Sequence, residues 1–200
     1  MKRSWDERYS EDGYLFGTEP EPFLVAQGHR LSPGMRALAV GDGEGRHGVW
    51  LAEQGLTVTS MDTSEVAQAK ARALAARRGV EIHTLQADAT TWQWPQAAFD
   101  LIVVIYVHFP PAKRERTHQA ITRALRPGGL LVMEVFHRDQ ARSELAGPDD
   151  PAMLYTEEEL ATAFAGLDIL SLEDAPTTIS HHGQAVGEGR SLRLLARAPR

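Results

Sequence analysis

No cysteine occurs among the 200 residues, which excludes disulfides, thiolate metal sites and a cysteine nucleophile together. The absence also fits a reducing compartment, so a cytoplasmic location is expected. Long apolar runs are missing as well. The longest, LIVVIYV from Leu101 to Val107, falls far short of the ~20 residues a membrane-spanning helix needs, and MKRSWDERYSEDG at the start carries no apolar signal core. Positive charge is scarce: 21 Lys and Arg face 27 Asp and Glu, a net charge of −6. That balance argues against a nucleic-acid or anionic-membrane partner, because backbone phosphates demand basic patches. The basic clusters that exist, Arg72, Arg77 and Arg78, then Lys113, Arg114 and Arg116, fall on helical patterns beside polar neighbours and read as solvated faces.

Glycine, in contrast, is concentrated. LAVGDGEGRHGVW, Leu38 to Trp50, holds Gly41, Gly43, Gly45 and Gly48 directly behind a short apolar run. Glycine belongs where a backbone turns sharply or approaches a ligand more closely than a β-carbon allows. Around this loop strand-like and helix-like segments alternate. RALAV is a short strand, GVWLAEQG a helix, LTVTSMD a strand, and SEVAQAKARALAARRG a helix stopped at Gly79. VEIHTLQ (80–86) is a third strand, and FDLIVVIYV (99–107), apolar nearly throughout, a central fourth. A helix through the KRERTHQAITRAL segment stops at Pro127, and LLVMEVF (130–136) follows as strand five. Thr156 and Glu159 form a capping box for a helix reaching about Phe164. LDILSLE and SLRLLARA, with DAPTTISHHGQAVGEGR read as the loop between them, end the chain as an antiparallel hairpin. Repeated alternation predicts an α/β Rossmann-like fold, mostly parallel and covered by helices on both faces, with residues 31–200 as the core of a single domain and 1–30 as an N-terminal segment. Ligands in such sheets bind at the carboxyl ends of the strands beside strand one, where the glycine loop lies.

Two cofactor classes compete for that loop. Gly43, Gly45 and Gly48 spell G-x-G-x-x-G, and Asp62 ends strand two nineteen residues after Gly43, near the spacing of a ribose-binding carboxylate in dinucleotide enzymes. Gly41, Gly43 and Gly45 equally spell the G-x-G-x-G of S-adenosylmethionine proteins. Charge favours the second. A diphosphate wants exposed amides and nearby positive charge, whereas Asp42 and Glu44 here face Arg46 alone. A third reading, a cofactor-binding regulator without catalysis, is compatible with either ligand.

The motifs LAVGDGEGRHGVWLAEQG, VTSMDTS, ADATTW, FDLIVVIYVHFP and ALRPGGLLVMEVF, in this order and spacing, resemble those of class I S-adenosylmethionine-dependent methyltransferases. The likeness is strongest to the tellurite-resistance and thiopurine methyltransferase-like group, and it extends to WDERYSEDGYLFGTEPEPFL and HHGQAVGEGRSLRLLARAP. It implies a seven-stranded sheet of order 3-2-1-4-5-7-6 with the last strand antiparallel, and S-adenosylmethionine as cofactor, released as S-adenosylhomocysteine. It further implies that Gly41, Gly43 and Gly45 meet the methionine end, Asp62 the ribose hydroxyls and Met61 the adenine. Asp88 and Ala89 match the positions at the adenine amino group, and Ile105 and Tyr106 would line the reactive end. Arg46 would tie the loop to the N-terminal segment. Ala39 stands where many members carry an acid, and Asp42 is expected to take over part of that role. YVHFPP differs from the N-P-P-Y loop of amino-methylating enzymes, so nucleic-acid bases and protein glutamine are not expected acceptors.

Methyl transfer is an in-line displacement that needs alignment and exclusion of water, and a base only where the acceptor holds its proton. A small acceptor is expected, a soft sulfur, selenium or tellurium nucleophile or a small carboxylate. His108, just past strand four, reads equally as a base or as a hydrogen-bonded loop residue; with Tyr106 it is the catalytic candidate. His137 faces the same end of the sheet. His181 and His182 sit in the terminal loop, and as neighbours on an extended chain they point apart, so no shared metal is expected. Trp5, Tyr9, Tyr14 and Phe16 load the N-terminus with aromatic rings that either pack an extra helix on the sheet or form a lid. The resemblance implies the helical lid over residues 1–30, with Tyr14 and Phe16–Gly17 nearest the cofactor, and aromatic rings suit a sulfonium. Trp92 and Trp94 read as packing residues. Oligomeric state leaves no mark in the sequence.

Overall fold

A computed structural model of the chain describes residues 3–142, 147, 148, 150–182 and 184–200, with the side chains of 141, 142 and 181 outside that description. Seven strands form one sheet: β1 (Arg36–Val40), β2 (Thr57–Asp62), β3 (His83–Gln86), β4 (Phe99–Ile105), β5 (Leu125–Phe136), β6 (Asp168–His181) and β7 (Gln184–Arg197). They lie in the order β3-β2-β1-β4-β5-β7-β6. All pairs are parallel except those of β7, which runs antiparallel to both neighbours. This is the predicted Rossmann-like order.

The central strands are apolar on both sides because both sides are covered. Leu101, Val103 and Ile105 of β4 enter one core with Leu24, Leu51, Val58 and Val132. The alternate Ile102 and Val104 enter the other, with Leu38, Met61, Ile121, Met133, Tyr155 and Phe164. Helices α2 (Pro22–Ala26), α3 (Arg46–Glu53) and α4 (Glu65–Arg78) lie on the first side, and α5 (Pro111–Ala124) and α6 (Glu157–Ala163) on the second. The Thr156–Glu159 capping box opens α6, and a second one, Ser4 with Glu7, opens the short N-terminal α1 (Trp5–Tyr9).

Three boundaries differ from the sequence reading. The strand at VEIHTLQ begins only at His83, because Val80 and Ile82 pack instead between α3 and α4 against Val49, Leu74 and Ala75. Helix α5 ends at Ala124 rather than at the proline, since Leu125 already pairs with Phe99 at the start of β5. The largest change is at the end of the chain. Residues expected as a loop continue the ladder, with Thr177 opposite Gly189 and Ser180 opposite Ala185. Pro176 is tolerated there because β6 is an edge strand.

Candidate cofactor and acceptor site

At the carboxyl end of β1 the chain enters a turn in which Gly41, Gly43 and Gly45 have φ of 58°, 57° and 90°. A β-carbon on Gly41 would collide with Val107 Cγ2, and one on Gly43 would lie 2.7 Å from the Tyr9 hydroxyl. The glycines are therefore required twice, for a left-handed backbone and for the close approach of other segments. Asp62, at the end of β2 and 8% exposed, accepts the Gly43 and Ser64 amides, both at 2.9 Å. Burial holds its carboxyl above the ordinary pKa, against the pull of those amides. Each of its oxygens takes one backbone amide and keeps a lone pair, the arrangement a ribose diol can use.

The acids of the turn do not behave alike. Asp42, expected to serve the ligand's ammonium group, is turned inward. Its oxygens accept the Gly48 amide at 3.1 and 3.2 Å and the Ser60 hydroxyl at 2.6 Å, with His47 Nδ1 3.7 Å away. Asp42 thus fastens the start of α3 to β2. Glu44 accepts the Leu15 amide at 2.6 Å and pairs with Lys70 Nζ at 2.9 Å. Arg46 donates to Phe16 O at 3.3 Å and pairs with Glu21 at 2.9 Å.

These contacts seat the N-terminal segment on the site. Lys70 Nζ also donates to Glu11 O and Gly13 O, at 2.7 and 2.8 Å, Ser64 Oγ bonds Asp6, and the His182 amide donates to Leu15 O at 2.7 Å. Tyr9 is the ring over the glycine turn. Tyr14 is not, correcting that expectation: its hydroxyl donates to Lys70 O at 3.1 Å, and the Arg77 guanidinium lies 4.9 Å from its ring on the flank of α4. Gly17 follows in a turn closed by its amide on Tyr14 O. Helix α1 carries no sequence signal of where it docks, because Tyr9 meets Gly43 only through tertiary packing. Lys70 is accordingly the residue of this seat for which sequence assigned no role, while Tyr9 and Glu44, named there as a lid ring and a loop acid, take specific places in it.

The remaining candidates fall out as follows. Met61, 1% exposed, belongs to the core and underlies the site instead of facing it. Asp88 is exposed; burial opposes its charge, but the Thr90 hydroxyl and amide outweigh this and hold its pKa below the ordinary value. Ala89 is half-buried, and its carbonyl accepts Trp94 Nε1 at 2.8 Å. Trp94 packs edge-on against Trp92 beside the core. Ile105 is buried, and Tyr106 after it adopts φ of 56°, a strained conformation for a non-glycine residue. Its hydroxyl reaches Glu134 Oε1 at 3.2 Å and Thr177 Oγ1 at 2.6 Å, and its ring stacks on Phe136 at 4.6 Å. Burial, with the charge of Glu134 next, pushes its pKa up, so the phenol stays protonated.

His108 is corrected as a base. Its Nε2 accepts the Phe136 amide at 3.0 Å, and its ring stacks on Phe136. Burial lowers its pKa to about 4, leaving a neutral ring whose acceptor is taken. His137 accepts the Asp139 amide at 3.1 Å within its own turn. His182, at the hairpin tip, lies 3.6 Å from Glu11 of the N-terminal segment; the His181 side chain lies outside the described residues.

Compared with known proteins, residues 37–129 match the model of a family described as a methyltransferase domain. The glycine turn, β2–β4 and all of β1 but Arg36 lie inside that match. Its members use S-adenosylmethionine, which the match implies as the cofactor here. Among curated relatives, demethylmenaquinone methyltransferase of Thermus thermophilus is 33% identical over 103 residues, covering 50% of this chain and 47% of that one. The 2-heptyl-1-hydroxyquinolin-4(1H)-one methyltransferase of Mycobacteroides abscessus is 26% identical over 160 residues, 78% of this chain and 68% of that one. The chain thus aligns with less than half the length of the first of these enzymes. Among solved structures, TehB of Haemophilus influenzae superimposes with TM-score 0.75 at 18% identity, over 90% of this chain and 62% of that one. A structure concerned with conversion of a disulfide bond into a thioacetal group during echinomycin biosynthesis gives TM-score 0.76 at 23% identity, over 97% and 88%. The fold is shared with these solved structures, and the family match covers residues 37–129. Among the described residues no helix is long and apolar enough to cross a membrane.

Proposed function

We propose that this chain transfers a methyl group from S-adenosylmethionine to a small-molecule acceptor. The observation that carries the reading is Asp62, buried at the end of β2, holding the Gly43 amide of a glycine turn that admits no β-carbon. Bound there, S-adenosylmethionine would supply an electrophilic methyl carbon for in-line transfer. The chain itself aligns and shields. Asp62 would hold the ribose diol, Gly41 and Gly43 let Val107 and Tyr9 close over the turn, and Tyr9 with the N-terminal segment would keep water from it.

With His108 committed to the Phe136 amide and Tyr106 kept protonated, neither catalytic candidate is a base at neutral pH. This supports acceptors that are nucleophilic without help, such as soft sulfur, selenium or tellurium species, neutral amines and small carboxylates. Calorimetric titration tests the reading against the dinucleotide alternative: S-adenosylhomocysteine binds and NAD does not. Binding of NAD alone overturns it. Turnover on a panel of thiols, selenite, tellurite, amines and carboxylates then separates an enzyme from a cofactor-binding regulator.

A further inference from the structure

Beside the reactive end of the proposed cofactor site lies a buried carboxylate whose two oxygens are treated unequally. Glu134 sits on β5 opposite Ile105 of β4 and Arg193 of β7 and is 0% exposed. Its Oε1 accepts three donors: Ser191 Oγ at 2.7 Å, Arg193 Nε at 3.0 Å and Tyr106 Oη at 3.2 Å. Its Oε2 is equally buried and has no hydrogen-bond partner among the described residues. A buried carboxylate oxygen without a donor forfeits hydration with nothing in exchange. Burying Glu134 with three donors on one oxygen and none on the other leaves one side built to receive a donor from elsewhere.

The side chains beside it are largely aromatic. Tyr106 and Phe136 stack beside Glu134, and Phe23 of α2 lies 5.8 Å from the Arg193 guanidinium. Tyr106 is held in its left-handed conformation by contacts on this side, including Thr177 at 2.6 Å. Such strain at the end of the strand that borders the cofactor is the kind stored at functional positions.

We infer that Glu134 Oε2 recognises the methyl acceptor by taking a hydrogen bond from an N–H or O–H group on it, with Tyr106 and Phe136 as the ring wall. The inference rests on the methyltransferase reading and narrows its acceptors. The donor need not be the atom methylated. Carboxylates and oxyanions are disfavoured, because they would bring a second negative charge to Glu134.

Aromatic probes keep the ring contact constant and vary only the polar group. With S-adenosylhomocysteine at saturation, phenol and benzylamine bind the full chain at least tenfold more tightly than benzoate, measured by calorimetry or ligand-observed NMR. In Glu134→Gln the amide oxygen stays with the three donors that Oε1 now serves, so Nε2–H replaces Oε2. The preference then falls at least tenfold and benzoate gains. A folded Gln variant with an unchanged preference overturns the inference. So does a wild type that binds benzoate as well as phenol, a result that decides even if the variant fails to fold. Failure of S-adenosylhomocysteine to bind wild type is read separately, and it removes the methyltransferase reading and this inference together.

Discussion

Gly43→Ala tests whether the N-terminal segment rests on the glycine turn. Gly43 has φ of 57°, and an L-residue in that region costs about 1–2 kcal/mol. The new β-carbon would also stand 2.7 Å from Tyr9 Oη and 3.2 Å from Tyr9 Cζ. Overpacking of that kind adds about 1–3 kcal/mol. The single variant should therefore lose roughly 2–5 kcal/mol in urea denaturation. The two contributions separate in a double-mutant cycle. Tyr9→Phe removes the nearest atom but leaves the ring, so Gly43→Ala should cost about 1 kcal/mol less in that background, within the range of coupled neighbours. The backbone cost stays. If the two substitutions are additive to within ~0.5 kcal/mol, Tyr9 is not on the turn, and the seat described for residues 3–17 is wrong.

Asp62→Ala should weaken S-adenosylhomocysteine more than tenfold by calorimetry; an unchanged affinity removes the ribose assignment. Because burial raises the folded pKa of Asp62, its contribution to stability is fullest below the unfolded pKa and is lost as pH rises through the folded value. Wild-type stability minus that of Asp62→Ala should accordingly shrink with rising pH, read from denaturation at several pH values. His108 has the opposite sign: with a folded pKa depressed to about 4 from 6.5, it binds its proton on unfolding. Stability should fall as pH drops across that interval, and His108→Ala should flatten part of the slope while costing about 1–3 kcal/mol for the orphaned Phe136 amide. Lys70→Met removes the cation shared by Glu11 O, Gly13 O and Glu44. Trypsin should then cut at Arg8 several-fold faster, and an unchanged rate shows that Lys70 does not hold the segment.

Topology was legible in the sequence because it follows from patterns that the chain carries locally. The apolar β4, the alternating β2 and the Thr156–Glu159 box each predicted an element that the structure contains. The terminal hairpin was less legible. Pro176, Gly187 and Gly189 read as loop residues, yet they sit in a ladder that continues because β6 is an edge and β7 is anchored on β5. Side-chain commitments were the least legible. His108 looked like a base until its acceptor met the Phe136 amide, twenty-eight residues away. Glu134 was hidden inside the apolar run of β5, and its partners come from β7, fifty-seven and fifty-nine residues on, and from Tyr106 just past β4.

The charge argument for the cofactor survives this test, but on other residues. Counted along the chain, Asp42 and Glu44 outweigh Arg46. In the structure Glu44 is matched by Lys70 and Arg46 by Glu21, so both pairs cancel locally. What remains near the turn is Asp42 and Asp62, neither of which pairs with a lysine or arginine among the described residues. Asp42 lies beneath the start of α3, and Asp62 bonds the turn through the Gly43 amide. The helix start alone would favour an anion, but a diphosphate placed there would meet two buried carboxylates with no spare cation. A sulfonium compound bearing an ammonium group would be attracted by the same pair. Buried charges are weakly screened, so the discrimination between the two cofactors should persist at high salt, and titrations of S-adenosylmethionine and NAD at 0.05 and 0.5 M salt should keep the same order.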